Sequence, residues 1–319
     1  MIAWTGKCAA AAMLAAGAAT FLTIILIGGA PAPSPETPLG SLAACRVYGG
    51  IPRGWPDQPV AGMRRVKIGD GILWVDRTEV TNAQFSAFVE ATGYRTLAER
   101  RGSSEVFVGS QDAWPASDAP ATWWQLRGGT SWRYPAGPQD TIAKPNHPVV
   151  HIARADAAAY AEWLGNRLPT EQEWELLVGG ADAARTVPSR APPKDAAGRP
   201  LANFWQGVFP LHDSADDGFS GTAPVGCFPP GGGGLFDGIA NVWEWTASEV
   251  EPVTGAVGQV ENLPDWPASS ARLGVIRGGS YLCSENYCAR YRVSARQPVD
   301  PETTAVHIGF RTVRDAHAL

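Results

Sequence analysis

No Cys-x-x-Cys run occurs anywhere in the 319 residues, which excludes a redox site of the thioredoxin kind. No long basic run occurs either, and the formal net charge is -5, so no nucleic-acid partner is expected. Charged residues are scarce, at 18% against 45% hydrophobic, which excludes a disordered chain and leaves enough apolar material for a sizeable core. No internal repeat is visible. What the chain has in quantity is glycine (36), proline (27) and tryptophan (13). That combination predicts short elements, many ordered loops and aromatic anchors between them.

The N-terminus reads differently from the rest. Lys7 is followed by an uncharged, mostly apolar run from Cys8 to Gly29. The run suits a signal peptide or an N-terminal membrane anchor over residues 1–32. A proline-rich linker is expected over 33–60 and a catalytic domain over 61–315. Either fate of the leader places that domain outside the cytoplasm, in a periplasmic or other exported location. Apart from Cys8 the cysteines are Cys45, Cys227, Cys283 and Cys288. An oxidising compartment would permit a Cys45–Cys227 bridge, although sequence does not fix connectivity.

Four residues separate Cys283 from Cys288, which stand behind Gly278-Gly279 and among aromatic residues. Two sulfurs cannot close a tetrahedral zinc site. Three readings stay open: a two-thiolate site for monovalent copper, a dithiol that cycles as a disulfide, and a structural disulfide. Local patterns place elements around the pair. Gly71–Asp76 reads as a strand. Thr81 caps a helix that buries Phe85, Phe88 and Val89 and ends at Gly93. Ala153–Leu164 reads as a second helix, with Tyr160, Trp163 and Leu164 inward. Thr170 and Glu173 form a capping box ahead of Trp174, Leu177 and Val178. Residues 96–145 read as irregular, and loops with short strands are expected from Arg185 onward. Ordered loops of that length suit calcium, which takes oxygen ligands. His147 and His151 flank Pro148-Val149-Val150, an extended run that sets them about 13 Å apart, too far to share one ion.

Several segments together carry a resemblance. They include Asp76-Arg-Thr-Glu-Val-Thr-Asn82, Trp123-Trp124, His147-Pro-Val-Val-His151, Arg167-Leu-Pro-Thr-Glu-Gln-Glu-Trp174, Asn241-Val-Trp-Glu-Trp245 and Gly309-Phe-Arg311. With Ser280-Tyr-Leu-Cys283-x4-Cys288-x-Arg-Tyr-Arg292, this order resembles the formylglycine-generating enzymes, or sulfatase-modifying factors, from about Val66 to Arg311. The resemblance implies an α+β, loop-rich fold related to C-type lectins. It implies an enzyme that uses copper and molecular oxygen to convert a cysteine to Cα-formylglycine. The target would lie in a Cys-x-Pro-x-Arg segment of an unfolded or nascent sulfatase, and the catalytic domain would act as a monomer. Cys283 and Cys288 would hold Cu(I). Ser280 and Tyr287 match polar residues near the oxygen and copper, and Trp243 matches a wall of the pocket. Structural calcium would be held by Asn203, the Phe204 carbonyl, Asp217 and the Phe219 carbonyl, and in a second set by Asp237, the Ala240 and Val242 carbonyls and Glu244.

Three alternatives and departures accompany this reading. A non-catalytic lectin-like binding module with a structural disulfide is one alternative, and an exported oxidase of another peptide, such as a siderophore precursor, is a second. The iron-dependent sulfoxide synthases that share the domain are poorly supported, since no His-x3-His-x-Glu run exists. The usual Gly-Gly-x-Phe-x-Met-Gly strand is missing ahead of Val66. Gln297–Thr304 replaces a family stretch, and His307 stands where asparagine is frequent, so the substrate groove is expected to be reshaped.

Overall fold

The computed structural model describes residues 39–109, 123–180, 191–251 and 272–316. The apolar run at 8–29 lies outside them. Among the described residues no helix is long and apolar enough to cross a membrane.

The first helix, α1 (Leu42–Val47), is capped by the Ser41 hydroxyl and carries Cys45, which is disulfide-bonded to Cys227. The stretch expected as linker from residue 39 to 60 is therefore drawn into the body. The hairpin β1 (Met63–Ile68) and β2 (Gly71–Asp76) follows, so a strand does precede β2 although the expected glycine-rich one is missing. α2 (Asn82–Thr92) has the Thr81 capping box and stops at Gly93, whose φ of +68° is left-handed.

The described parts of 96–145 depart from the expected irregular run, while 110–122 lie outside the described residues. α3 (Leu97–Arg101) has a Thr96–Glu99 capping box, and β3 (Ser103–Phe107) pairs antiparallel with β4 (Trp124–Gly128). α4 (Arg154–Trp163) and α5 (Glu171–Gly179) sit where the sequence places them, and Trp174, Leu177 and Val178 are buried as predicted. The C-terminal half supplies β5 (Gly207–Val208), β6 (His212–Asp213), β7 (Trp243–Val250), β8 (Leu273–Arg277), β9 (Arg296–Val299), β10 (Ile308–Gly309) and β11 (Val313–Asp315).

Two sheets organise these parts. One runs β1-β2-β11, so the last strand closes on the first hairpin. The other runs β10-β7-β8-β9, with β10 parallel to β7 and the remaining pairs antiparallel. The main core lies between α2, α4 and the second sheet. Phe85 there contacts Phe88, Trp132, Tyr160 and Phe310, with ring centroids 5.2–6.4 Å apart. Rings that bury this much area account for how a loop-rich chain holds a fixed core.

Candidate active site

The cysteine loop leaves β8 through Gly278 and Gly279, both at positive φ (+94° and +84°). A Cβ on Gly279 would fall 2.3 Å from the Arg290 carbonyl oxygen, so only glycine lets the outgoing chain pass its own return. Backbone bonds hold the loop at both cysteines. Cys283 N–H donates to Ser280 (2.9 Å), Trp205 N–H donates to the Cys283 carbonyl (3.0 Å), and Arg290 N–H donates to the Cys288 carbonyl (2.7 Å).

The two sulfurs lie 3.6 Å apart and are not bonded. Cys283 is buried and Cys288 is half-buried. Burial, with the hydrogen bond to Cys288, pushes the Cys283 thiol well up. The hydrogen bond from Cys283 draws the Cys288 thiol down to about 7, against its own burial and with help from the Arg290 and Arg292 charges. One buried S–H thus donates to a neighbouring sulfur that ionises first. Such a pair is a soft, two-sulfur donor set whose outer member faces the surface, which fits monovalent copper.

The other expected residues divide. Trp243 is buried in the same apolar cluster as Cys283, with its backbone N–H donating to the His307 carbonyl (2.9 Å). Ser280 is buried, and its hydroxyl oxygen accepts from Leu282 N–H (3.3 Å). Tyr287 is 44% exposed. Its ring stacks on Phe209 (4.7 Å between centroids, 10° between planes) and meets the edge of Trp123 at 5.2 Å. Phe209 and Phe107 were not foreseen as neighbours of the pair. The abundance of tryptophan in 96–145 is the one signal that pointed to this wall.

The two expected oxygen-rich sets lie in different surroundings. In the first, Asn203 and Asp217 are buried, and the Asn203 Oδ1 has no donor. The Gln206 amide donates both to the Phe204 carbonyl and to Asp217 Oδ2, so its hydrogens supply the positive charge these oxygens call for. Burial raises the Asp217 carboxyl to about 6. An orphaned buried amide oxygen, together with a costly carboxylate and a carbonyl joined through Gln206, supplies the kind of oxygens a hard cation takes.

The second set lies in a loop where Asp237, Ala240 and Asn241 all have positive φ (+53°, +63°, +49°), unusual strain for non-glycine residues. Glu244 is engaged on every side. Arg311 Nη2 and Nε donate to its two oxygens at 2.6 and 2.7 Å, and Trp174 Nε1 donates at 2.6 Å. Asp237 accepts from Gly226 N–H (2.5 Å), and burial raises its carboxyl to about 6. Burial and the charges of Asp237 and Glu244 push Glu79 well up. Three buried carboxyl groups therefore lie within electrostatic reach of the one Arg311 guanidinium, oxygen-rich surroundings of the kind calcium takes. Among the described residues no three His, Cys, Asp or Glu side chains form a metal-holding group, so carbonyl oxygens would have to complete either set.

The histidine rings go to separate partners. His147 Nδ1 meets Thr222 Oγ1 at 2.9 Å, and His151 lies between Ser104 Oγ (2.7 Å) and the Pro135 carbonyl (2.9 Å). Burial holds both near pKa 4 and neutral.

Comparison with known proteins gives a consistent result. The family described as "Sulfatase-modifying factor enzyme 1-like domain" matches residues 49–316. The chain is 42% identical over 281 residues to a formylglycine-generating enzyme of Thermomonospora curvata, covering 85% of this chain and 90% of that one. It is 38% identical to the mouse protein named "Inactive C-alpha-formylglycine-generating enzyme 2", covering 76% of this chain and 75% of that one. The solved structure of PvdO from Pseudomonas aeruginosa shares the fold, with a TM-score of 0.50, 24% identity, and coverage of 76% of this chain and 80% of that one.

Proposed function

This chain belongs to the formylglycine-generating enzyme family, and from that premise we propose that it oxidises a cysteine of a sulfatase-type protein to Cα-formylglycine at Cys283 and Cys288. The observation that carries the reading is the state of those two thiols. They remain unbonded at 3.6 Å in a chain whose Cys45 and Cys227 are bridged, and one of them reaches the surface beside an exposed tyrosine. A structural disulfide would need neither the charge asymmetry nor the access.

Cys283 and Cys288 would hold Cu(I), and binding through both sulfurs requires Cys283 to give up its proton. When bound, the copper supplies the one-electron chemistry with oxygen that no side chain offers. The residues do the rest. Cys288 presents its sulfur where a substrate thiol can arrive. Tyr287 and Trp243 would wall the site, and Ser280 would supply a hydroxyl near the pair. The atoms balance as follows: the substrate side chain becomes an aldehyde, its sulfur leaves as sulfide, one oxygen atom enters the carbonyl, and the other goes to water with two electrons from an external reductant. The Asn203/Phe204/Asp217/Phe219 and Asp237/Ala240/Val242/Glu244 sets would hold structural calcium. The Cys45–Cys227 bridge supports an exported location, because disulfides persist in oxidising compartments. The substrate would then be met there in unfolded form by a monomeric domain, with the leader as its possible anchor.

The test is turnover of a Cys-x-Pro-x-Arg peptide with Cu(I), calcium, oxygen and a reductant, reading aldehyde by hydrazide capture and mass. Aldehyde formation is expected in the wild type and is expected to disappear in Cys283→Ser and in Cys288→Ser. Aldehyde formation that survives either substitution would remove the pair from the chemistry.

A further inference from the structure

From Thr37 to Pro56 the chain holds no acidic residue, and the two charges in that stretch, Arg46 and Arg53, are both exposed. α1 turns two sides to different surroundings. Ala44 and Cys45 are buried, while Leu42, Ala43, Arg46 and Val47, paired at a spacing of four, share the outward side. Leu42 is 40% exposed, Val47 71% and, just beyond the helix, Ile51 44%. The segment that carries these apolar side chains is fastened to the body. Cys45 is bridged to Cys227, the Asn146 amide donates to the Cys45 carbonyl (3.0 Å), and Gly40 N–H donates to the Gly226 carbonyl (2.7 Å).

The adjoining hairpin has the same character. A Cβ on Gly62 would collide with the Pro52 ring, so the segment closes against the start of β1. Along β1, Val66 and Ile68 pack on the core, which puts Arg65 and Lys67 on the opposite face, both exposed. Their ladder partners on that face are Trp74 and Ile72, each half-buried. Arg46, Arg65 and Lys67 take part in no ion pair among the described residues. Residues 37–68 hold five basic side chains and one acidic one, in a chain whose net charge is -5. Exposed apolar side chains set among unpaired cations mark a contact surface.

We propose that this surface, the outward side of α1 with the outer face of the β1–β2 hairpin, docks on an anionic lipid bilayer. The inference rests on the reading of residues 8–29 as a segment that enters a membrane. Two observations choose the bilayer as the partner. The apolar run ends at Gly29, ten residues before the first described residue, so the surface follows it closely along the chain. The mixture of side chains also matches the two layers of a bilayer surface. Lipid phosphates attract the arginines and the lysine, and the acyl boundary takes up Leu42, Val47 and Ile51. A soluble polyanion would satisfy the cations and leave those three side chains in water. The consequence is a domain that meets its substrate at the membrane surface.

The test uses the whole protein with vesicles of phosphatidylcholine alone and of equimolar phosphatidylcholine and phosphatidylglycerol. Flotation reports attachment, and hydrogen exchange read by mass spectrometry reports which backbone is covered. Exchange in α1, in Ile51–Arg53 and in β1 is expected to slow about tenfold or more on the anionic vesicles, and not on the neutral ones. Combining Arg46→Glu, Arg65→Glu and Lys67→Glu is expected to remove that protection while the variant melts in solution as the wild type does. Val47→Asp, which changes a single exposed side chain, is expected to weaken it. Protection absent from the anionic vesicles, equal on both kinds, or unchanged in the triple variant overturns the proposal, as does equal protection by dextran sulfate in solution. Failure of the leader reading shows separately, as a wild type that does not float with the neutral vesicles.

Discussion

At residue scale, Glu105 shows what burying a carboxyl costs the fold. Its carboxyl titrates near 7 in the folded chain against 4.5 unfolded, and burial is the cause. The stability linked to it is fully present below pH 4.5 and is lost as the pH rises through about 7, because the unfolded chain ionises first. The penalty above pH 7 is on the order of 2–3 kcal/mol. Glu105→Gln should therefore raise the melting temperature at pH 8 and leave it unchanged at pH 4, which thermal scans of the two proteins at the two pH values will show. An equal change at both pH values would mean that packing, and not charge, governs the position. The cysteines differ in the same residue-level way. Cys283 and Cys288 are both plain thiols in sequence; the hydrogen bond between them, burial of Cys283 and the Arg290 and Arg292 charges make one the proton donor and the other the first thiolate.

At the scale of elements, the buried contact between Glu244 on β7 and Arg311, between β10 and β11, joins the two sheets. Both side chains are at most 1% exposed, and Trp174 of α5 adds a third donor. Arg311→Met would leave Glu244 beside Glu79 and Asp237 with no cation, a loss of about 3–5 kcal/mol. Urea unfolding would measure it, and a change below about 1 kcal/mol would mean that water or a metal ion replaces the guanidinium. Elements with local codes were legible in the sequence: α2 and α5 begin at the Thr81 and Thr170 caps, and α4 lies where its apolar spacing places it, with Tyr160 buried. α3 was missed although its Thr96-x-x-Glu99 box and Gly102 carry the same code as α5. β3 and β4 were not legible, because Ser103–Phe107 becomes a strand only by pairing with residues some twenty positions away. The aromatic wall was hidden for the same reason: Phe209 and Tyr287 meet through the fold, and no local spacing relates them. The cysteine pair and the calcium-suited loops stood out in the sequence itself, family resemblance chose copper and named the individual ligands, and the structure adds the orphaned Asn203 oxygen and the carboxyl groups gathered around Arg311.

At the scale of the molecule, the loops are tied to one another more than to regular elements. Asn241 is the junction. Its Oδ1 accepts from Asn203 Nδ2 (2.9 Å) and from Ala223 N–H (2.9 Å), its Nδ2 donates to Glu79 (2.6 Å), and its carbonyl accepts from Tyr281 N–H (2.8 Å) in the cysteine loop. Asn241 thus bonds the first proposed calcium set and the cysteine loop, and it stands in the chain between Ala240 and Val242 of the second set. A cation that binds the folded loops and not the unfolded chain stabilises by mass action, about 2.7 kcal/mol at a hundred times its dissociation constant. The melting temperature should accordingly climb with the logarithm of calcium concentration and fall on chelation with EGTA. Asp217→Asn and Asp237→Asn should each flatten the slope without abolishing it, since each removes one anionic ligand of one set. Because Asn241 connects the sets to Tyr281, chelation should also slow peptide oxidation before the protein unfolds. A melting temperature indifferent to calcium would mean that Gln206 and Arg311 alone neutralise these carboxylates, and that the loops hold the cysteine pair in place by hydrogen bonds.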